Sequence, residues 1–506
     1  MNILNRLHFY AQNHGQDIAI QSGDSFFTYA QLDDLSSRLA SYIEERCRGS
    51  KAPVVVYGHK GIYMILCFLA SVKSGRPYCP LDISIPDTRV EDTIKTAQPS
   101  MVFALEEMTA DVKGVISLEE TKAIIERTKE PIDESCYVSG EDVFYIIFTS
   151  GSTGTPKGVQ ITTDNLNHYL DWSVGLGTCA ADKLGKVFLN QAPFSFDLSV
   201  MDLYTCLASR GTLYLLDKEV QLDFKRLIPA LKESGAAVWV STPSFADMCM
   251  ADKSFCQELM PKMETFLFCG ETLTNSTALK LLERFPQAVI MNTYGPTEST
   301  VAVTEIQVTK ELAETVQPLP VGAAKPGTFF EIHREDGKLA DTGESGEIII
   351  VGDTVSAGYF GREDLSRKAF FNCMKNGRSC RAYRTGDKGY LDEQGNLHYQ
   401  GRIDLQIKLN GYRIEIEDIE KNIARLEEVS HAVVVPNIKE GKVKSLTAFV
   451  TGCAKPESGF KFSKEMKERL KAFLPAYMIP KKIVHMENLP MNNNGKVDRK
   501  QLGGLA

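Results

Sequence analysis

Ten consecutive residues, Thr149-Ser-Gly-Ser-Thr-Gly-Thr-Pro-Lys157-Gly158, combine small hydroxyl side chains, glycines and one lysine. That composition suits a loop wrapped around a polyphosphate. Glycines let backbone N–H groups approach the oxygens closely, and the lysine offsets charge. A flexible Ser/Gly-rich surface turn is the alternative. The loop's position directly after an apolar run, Phe144–Phe148, favours the phosphate reading. It is not a Walker A loop, which needs Gly-Lys followed by Ser or Thr; here Pro156 precedes Lys157 and Gly158 follows it. Zinc chemistry is poorly supported. No two of the 12 cysteines have Cys-x-x-Cys spacing, the closest pairs (Cys249/Cys256 and Cys373/Cys380) sit seven apart, and the 8 histidines never form His-x-x-x-His.

The elements that must hold this loop read as follows. Thr28-Tyr-Ala-Gln31 has the form of a capping box, and Leu32, Leu35, Leu39 and Ile43 then repeat at helical spacing. A strand at Val54–Tyr57 precedes an apolar helix over about Tyr63–Val72, closed by Gly75. From about Val143 to Gly295 strands alternate with helices. Phe144–Phe148, Val187–Leu189, Leu213–Leu216, Ala237–Val240, Phe266–Phe268 and Val289–Asn292 read as buried strands, and Phe224–Ser234 and Ser244–Met250 as helices. That alternation predicts an α/β domain with a largely parallel sheet. Short glycine-punctuated strands from Val321 to Tyr399 predict a smaller β-rich subdomain. After Gly401 the texture becomes that of a compact α+β unit of about 100 residues.

The expected fold class is therefore α/β. A large N-terminal domain of α/β subdomains, residues 1–402 with a small β-rich subdomain at about 320–400, precedes a small mobile α+β C-terminal domain, residues 403–506. Composition agrees. The 506 residues are 43% hydrophobic and 24% charged, which is ordinary for a soluble globular chain. With 57 basic against 65 acidic residues the net charge is −8, which argues against a uniformly basic nucleic-acid binder. The longest apolar run, near Ile62–Val72, is too short to span a bilayer, and the N-terminus lacks the pattern of a signal peptide. Sparse cysteines point to a reducing cytoplasm.

With further motifs in view, the chain resembles the adenylate-forming enzyme superfamily, which includes acyl-CoA synthetases, luciferases and the adenylation domains of nonribosomal peptide synthesis. After the phosphate loop come Asn292-Thr-Tyr-Gly-Pro-Thr-Glu298, Gly346-Glu-Ile-Ile-Ile-Val-Gly352, Tyr383-Arg-Thr-Gly-Asp387, Gly401-Arg-Ile-Asp404 running into Lys408 and Gly411-Tyr-Arg, and Asn494-Gly-Lys496-Val-Asp-Arg499. They follow the family's order and cover essentially the whole chain. The resemblance implies attack of a carboxylate on the α-phosphorus of ATP with loss of pyrophosphate, so a site that neutralises charge and holds an in-line geometry. It implies an ATP site of Thr149, Ser150, Gly151, Ser152, Thr153, Lys157, Asn292, Thr293, Tyr294, Thr297, Asp387, Arg402 and Lys496. Within it Thr297 would touch the α-phosphate, Tyr294 would stack near adenine, and Asp387 would accept from the ribose hydroxyls. Arg402 would add phosphate or ribose contacts. Glu298 would ligate Mg²⁺. Lys496 would be the catalytic cation, and Asp404 the hinge about which the C-terminal domain turns, exchanging the lysine loop for the face with Lys408 and Gly411. Taken singly, Glu298 and Asp387 also read as turn residues.

The acid is indicated by Phe196-Asp197-Leu-Ser199. Burying the ammonium of a free amino acid requires a paired carboxylate, and Asp197 stands where amino-acid-adenylating members bind it. It also reads as the N-cap of a helix over Leu198–Leu207, and the two roles are compatible. The other pocket positions that the resemblance implies are Leu198, Met201, Leu267, Cys269, Thr293, Val301 and Ala302. Several are bulky, which suits a very small side chain. Phe266-Leu-Phe-Cys269-Gly-Glu271, Phe196–Tyr204 and Leu319-Pro-Val-Gly322 resemble the D-alanine–carrier protein ligases of teichoic acid D-alanylation, a family in which this cysteine lines the alanine pocket and helps select the D form. Cys269 also reads as a small buried apolar residue. The implied partners are D-alanine and a separate phosphopantetheinylated D-alanyl carrier protein, because the chain stops at Leu502-Gly-Gly-Leu-Ala506 without a Gly-Gly-x-Ser site. The alternatives are activation of glycine, L-alanine or serine, an acyl-CoA ligase, and a nucleotide-binding protein with a dead site. Asp197 speaks against the acyl-CoA ligase, and the joint presence of Lys157, Glu298, Asp387 and Lys496 against the dead site.

Overall fold

The computed structural model describes residues 1–149, 156–177, 184–439, 441–452, 456, 458–491 and 497–506. Two large sheets form the body. In the first, Ile18–Ser22, Thr212–Leu215, Val187–Asn190, Val238–Ser241, Thr265–Phe268 and Val289–Asn292 lie parallel in that order. The four from Val187–Asn190 to Val289–Asn292 are nearly all buried, as strands covered on both faces must be. The second sheet has Tyr78–Leu81, Val54–Tyr57 and Met101–Ala104 parallel at its centre.

Two helices are packed inside the body. Ile62–Lys73 and Leu198–Ala208 are buried almost all round, Tyr63 being the one residue not fully covered. A helix without a polar face has to sit between layers. The aromatic contacts of Tyr78 with Phe68 and Phe144, and of Phe144 with Tyr204, tie the second sheet to both of these helices. Lys73 ends the first helix inside the protein and is tolerated there because Asp33 accepts from its ammonium at 2.7 Å.

Local chemistry agrees with several sequence expectations. Thr28 and Gln31 form the reciprocal capping box at the start of Tyr29–Arg46. The helix Phe224–Ser234 ends on Gly235 at φ 58°. One expectation is revised. Val143–Thr149 does not join the strands that follow it. It pairs parallel with Tyr78–Leu81 in the second sheet and turns back antiparallel through Lys157–Thr162. A fully buried run such as Phe144–Ile147 carries no signal for its partner, and the polar Lys-Gly-Val-Gln-Ile-Thr strand lacks an obvious strand composition.

Residues 328–402 form a five-stranded antiparallel sheet. Beyond it, the hairpin Gln406–Leu409 and Tyr412–Glu415 turns at Asn410 (φ 52°) and Gly411 (φ 83°), the left-handed pair that matches strand twist. The helix Ile416–Ile423, a three-stranded sheet and the helix Gly459–Leu470 complete a unit with its own apolar core around Ile414, Ile419, Val434, Ala448 and Leu470. This unit is fastened to the body at several points. Arg89 donates to Asp418 at 2.8 Å and to the Phe473 carbonyl, and Lys442 donates to Asp247 at 2.9 Å.

Candidate active site

The candidate site lies where the body, the antiparallel sheet and the C-terminal hairpin meet. A cavity of about 140 Å³ there is lined by Thr149, Asp197, Leu198, Cys269, Thr297, Val301, Asp387 and Arg402 from the body, and by Lys408, Asn410, Gly411, Tyr412 and Arg413 from the hairpin. Two neighbouring cavities share Arg402 as a lining residue. One adds Asn292, Thr293 and Tyr294; the other adds Lys157, Tyr359, Asp404 and Glu415.

The phosphate-loop candidates Ser150, Gly151, Ser152 and Thr153, and the catalytic candidate Lys496, lie outside the described residues. Both ends of the loop are visible. Thr149 ends one strand opposite Lys157, which starts the next, and its hydroxyl donates to the Lys157 carbonyl. Gly158 has no room for a side chain, since a Cβ would meet Phe148 Cζ at 3.0 Å and Ile146 Cγ2 at 2.8 Å. That crowding fixes where Lys157 emerges. Burial pushes the Lys157 ammonium below its ordinary value, and Arg413 nearby adds to this.

Glu298 is fully buried on the short turn Thr297–Ser299. Its Oε1 accepts from the Tyr359 hydroxyl at 2.8 Å and its Oε2 from Arg413 Nη1 at 2.6 Å. Burial alone would raise its pKa. The Arg413 guanidinium, helped by Lys157, outweighs burial and holds it at about 2. Among the described residues no three His, Cys, Asp or Glu side chains gather as a metal site. A single ionised carboxylate fits a magnesium ion that takes its remaining oxygens from phosphates and water.

Asp387 sits between Tyr294, whose hydroxyl donates at 2.5 Å, and Arg402, whose Nη1 donates at 2.9 Å. Arg402 also holds Asp404 at 2.8 Å and the Thr385 carbonyl at 2.8 Å. The Asn292 amide donates to the Pro320 carbonyl, and the Thr293 hydroxyl to the Phe268 carbonyl, both at 2.8 Å. These two side chains brace the turn that carries Tyr294.

Asp197 occupies the N-cap position of Leu198–Ala208, but its side chain makes no capping hydrogen bond. It lines the cavity instead. Burial raises its pKa, and the Thr297 hydroxyl and Lys408 offset part of that rise. Cys269 is buried opposite, its thiol donating to the Val301 carbonyl at 3.6 Å. Thr300 and Val301 both have positive φ, 60° and 71°. A β-branched valine in that region is strained, and such strain persists where the surroundings impose it. Leu267, Met201 and Ala302 are buried behind this wall, and none of the three lines the main cavity.

Several residues of the site were not singled out from sequence. Tyr359 and Glu415 carry no motif signal. Arg413 is part of the Gly411-Tyr-Arg motif, yet a role for it is visible only in its contact with Glu298. Gly411 is pressed into the body: its N–H donates to Glu271 at 2.7 Å, and a Cβ there would meet Thr242 Cγ2 at 2.6 Å. Tyr412 stacks on Tyr477 at 3.8 Å between ring centroids and packs edge-on against Phe196.

Residues 7–360 match the model of the AMP-binding enzyme family, and residues 418–496 that of the AMP-binding enzyme C-terminal domain. The chain belongs to the AMP-binding enzyme family. This AMP-binding enzyme is 45% identical over 504 residues to the D-alanine–D-alanyl carrier protein ligase of Bacillus licheniformis, with 99% of each chain covered. It is 46% identical over 510 residues to the ligase of that name from Bacillus cytotoxicus, again with 99% of each covered. A solved nonribosomal peptide synthetase protein containing adenylation and carrier domains, bound to a vinylsulfonamide inhibitor, superimposes with a TM-score of 0.85 at 27% identity, over 99% of this chain and 84% of that one. The Vibrio cholerae adenylation domain solved with glycyl-adenosine-5′-phosphate shares the fold at a TM-score of 0.83 and 23% identity, over 99% and 96%. Among the described residues no helix is long and apolar enough to cross a membrane, and the cysteines are free.

Proposed function

We propose that this AMP-binding enzyme activates D-alanine with ATP and passes the D-alanyl group to the phosphopantetheine thiol of a separate D-alanyl carrier protein. The full-length identity to ligases of that name carries the reading. In the first step a carboxylate oxygen of D-alanine attacks the α-phosphorus and pyrophosphate leaves, giving D-alanyl-AMP. In the second the carrier's thiolate attacks the acyl carbonyl, a thioester forms and AMP leaves. The Asp197 carboxylate pairs with the substrate ammonium. A methyl side chain faces Cys269 and Val301, two buried residues of the cavity wall. Asp387 accepts from the ribose hydroxyls, Lys157 faces the phosphates, and Lys496 stabilises charge on the reacting carboxylate and phosphate. Glu298 would hold Mg²⁺, which when bound neutralises charge on the phosphate oxygens. Residues 1–402 form the platform and 403–506 the mobile part, turning at Asp404. The reaction belongs in the cytoplasm, supplying D-alanine for teichoic acid.

The test is amino-acid-dependent exchange of pyrophosphate into ATP, run with D-alanine, L-alanine, glycine, serine and a fatty acid. Exchange strongest with D-alanine is expected. A preference for any other acid, or no exchange at all, would overturn the assignment.

A further inference from the structure

The strand Tyr412–Glu415 enters the site with two opposite charges on one face. Residues two apart on a strand project to the same side. Arg413 meets Glu298 at 2.6 Å, and Glu415 meets Lys157 at 3.8 Å. All four side chains are largely withdrawn from solvent: 0% exposed for Glu298, 15% for Arg413, 13% for Lys157 and 9% for Glu415. The partners on the body are the proposed metal ligand and the proposed phosphate-facing lysine. The cation on the strand thus sits on the metal's carboxylate, and the anion sits on the phosphate's lysine.

We propose that Arg413 and Glu415 are a built-in charge replica of magnesium pyrophosphate, so that the C-terminal unit occupies this position only after metal and pyrophosphate have gone. The inference rests on the function proposed above. It follows from exclusion. Glu298 gives Oε1 to Tyr359 and Oε2 to Arg413, and a divalent cation brought onto the same buried carboxylate would face the guanidinium charge where like charges repel strongly. Likewise a pyrophosphate on Lys157 would face the Glu415 carboxylate, and like charges at a buried position are costly. With the replica in place, Glu298 and Lys157 do not lose their partners when the first product leaves, so neither is stranded as an unpaired buried charge. The unit is also fastened away from the site, through Arg89–Asp418 and Lys442–Asp247. The pair therefore reports whether the first product is present rather than serving as the sole attachment. Arg413 and Glu415 are positioning residues for the transfer step.

The experiment measures Mn²⁺ binding in the presence of pyrophosphate, by the electron paramagnetic resonance signal of free Mn²⁺. It uses the full-length wild type, Arg413→Gln, Arg413→Lys and Glu415→Gln. A competing internal cation reduces apparent affinity by the fraction of molecules it occupies, so Arg413→Gln should bind Mn²⁺ about threefold or more tightly than wild type. Arg413→Lys, which keeps the charge, should stay near wild type. Glu415→Gln should tighten pyrophosphate binding in the same sense. Carrier loading by Arg413→Gln should fall further than its pyrophosphate exchange does. Equal or weaker Mn²⁺ affinity in Arg413→Gln, or equal tightening in Arg413→Lys, would overturn the replica. Wild type that exchanges pyrophosphate with D-alanine while showing either result would refute this inference alone, whereas wild type without exchange would refute the function on which it rests.

Discussion

A carboxyl held above its ordinary range by burial loses its charge earlier on acidification than an exposed one, and Asp197 is such a group. In the proposed function that charge pairs with the substrate ammonium. The KM for D-alanine should therefore rise as pH falls, starting at a higher pH than an ordinary aspartate would dictate, and a KM–pH profile that follows an ordinary aspartate would contradict the role. Asp197→Asn keeps the shape and removes the charge. Leaving a buried ion without its partner costs about 3–5 kcal/mol, roughly a hundredfold or more in KM. Asp197 and Glu298 were legible in the sequence because each stands inside a short motif of fixed order. Arg413 was not, because its meaning lies in a carboxylate 115 positions earlier in the chain, and single-chain spacing holds no record of that meeting.

At the level of elements, the hairpin turn at Asn410-Gly411 illustrates what sequence reading supplies and what it leaves out. Asn-Gly between two apolar runs specifies the hairpin. It does not reveal that the turn is wedged against Thr242 and Glu271. Gly411→Ala adds both a left-handed alanine and a clash at 2.6 Å. Strain of this kind costs about 1–3 kcal/mol. Carrier loading by Gly411→Ala should fall by about tenfold or more, measured as thioester formed per minute. Loading at the wild-type rate would show that the wedged turn plays no part in transfer. The same contrast holds for Val143–Thr149. Its strand character was evident from four consecutive buried residues, but its sheet was not, since an apolar run with no polar face fits either layer equally well.

For the molecule as a whole, the join between body and C-terminal unit has a pH signature. The Glu298 carboxyl is depressed from an ordinary glutamate's 4.5 to about 2 by its partners. A depressed acid adds stability that is fully present above its ordinary pKa and is lost as pH falls through the lowered one. The join should therefore weaken between about pH 4.5 and about 2. In Glu298→Gln that part of the acid limb should flatten when melting temperature, or small-angle scattering of the joined form, is followed against pH. Identical acid limbs in wild type and variant would refute it. The change of texture after Gly401 announced a second unit with its own core. How the two units meet was not legible, because Arg89–Asp418, Lys442–Asp247 and Arg413–Glu298 each link residues more than a hundred positions apart.

The helix Leu198–Ala208 has no exposed face, so it cannot slide or tilt without repacking the layers on both sides. Asp197 at its start is thereby anchored to the least adjustable part of the protein. A laboratory that wished to retune this enzyme for a larger amino acid would gain nothing by shifting that helix. The cavity wall at Cys269 and the strained Thr300-Val301 turn is no looser, since these residues are buried in the same core and their surroundings impose the turn's conformation. A new substrate would therefore be reached by compensating substitutions in the core behind Cys269 and Val301 rather than by trimming one loop.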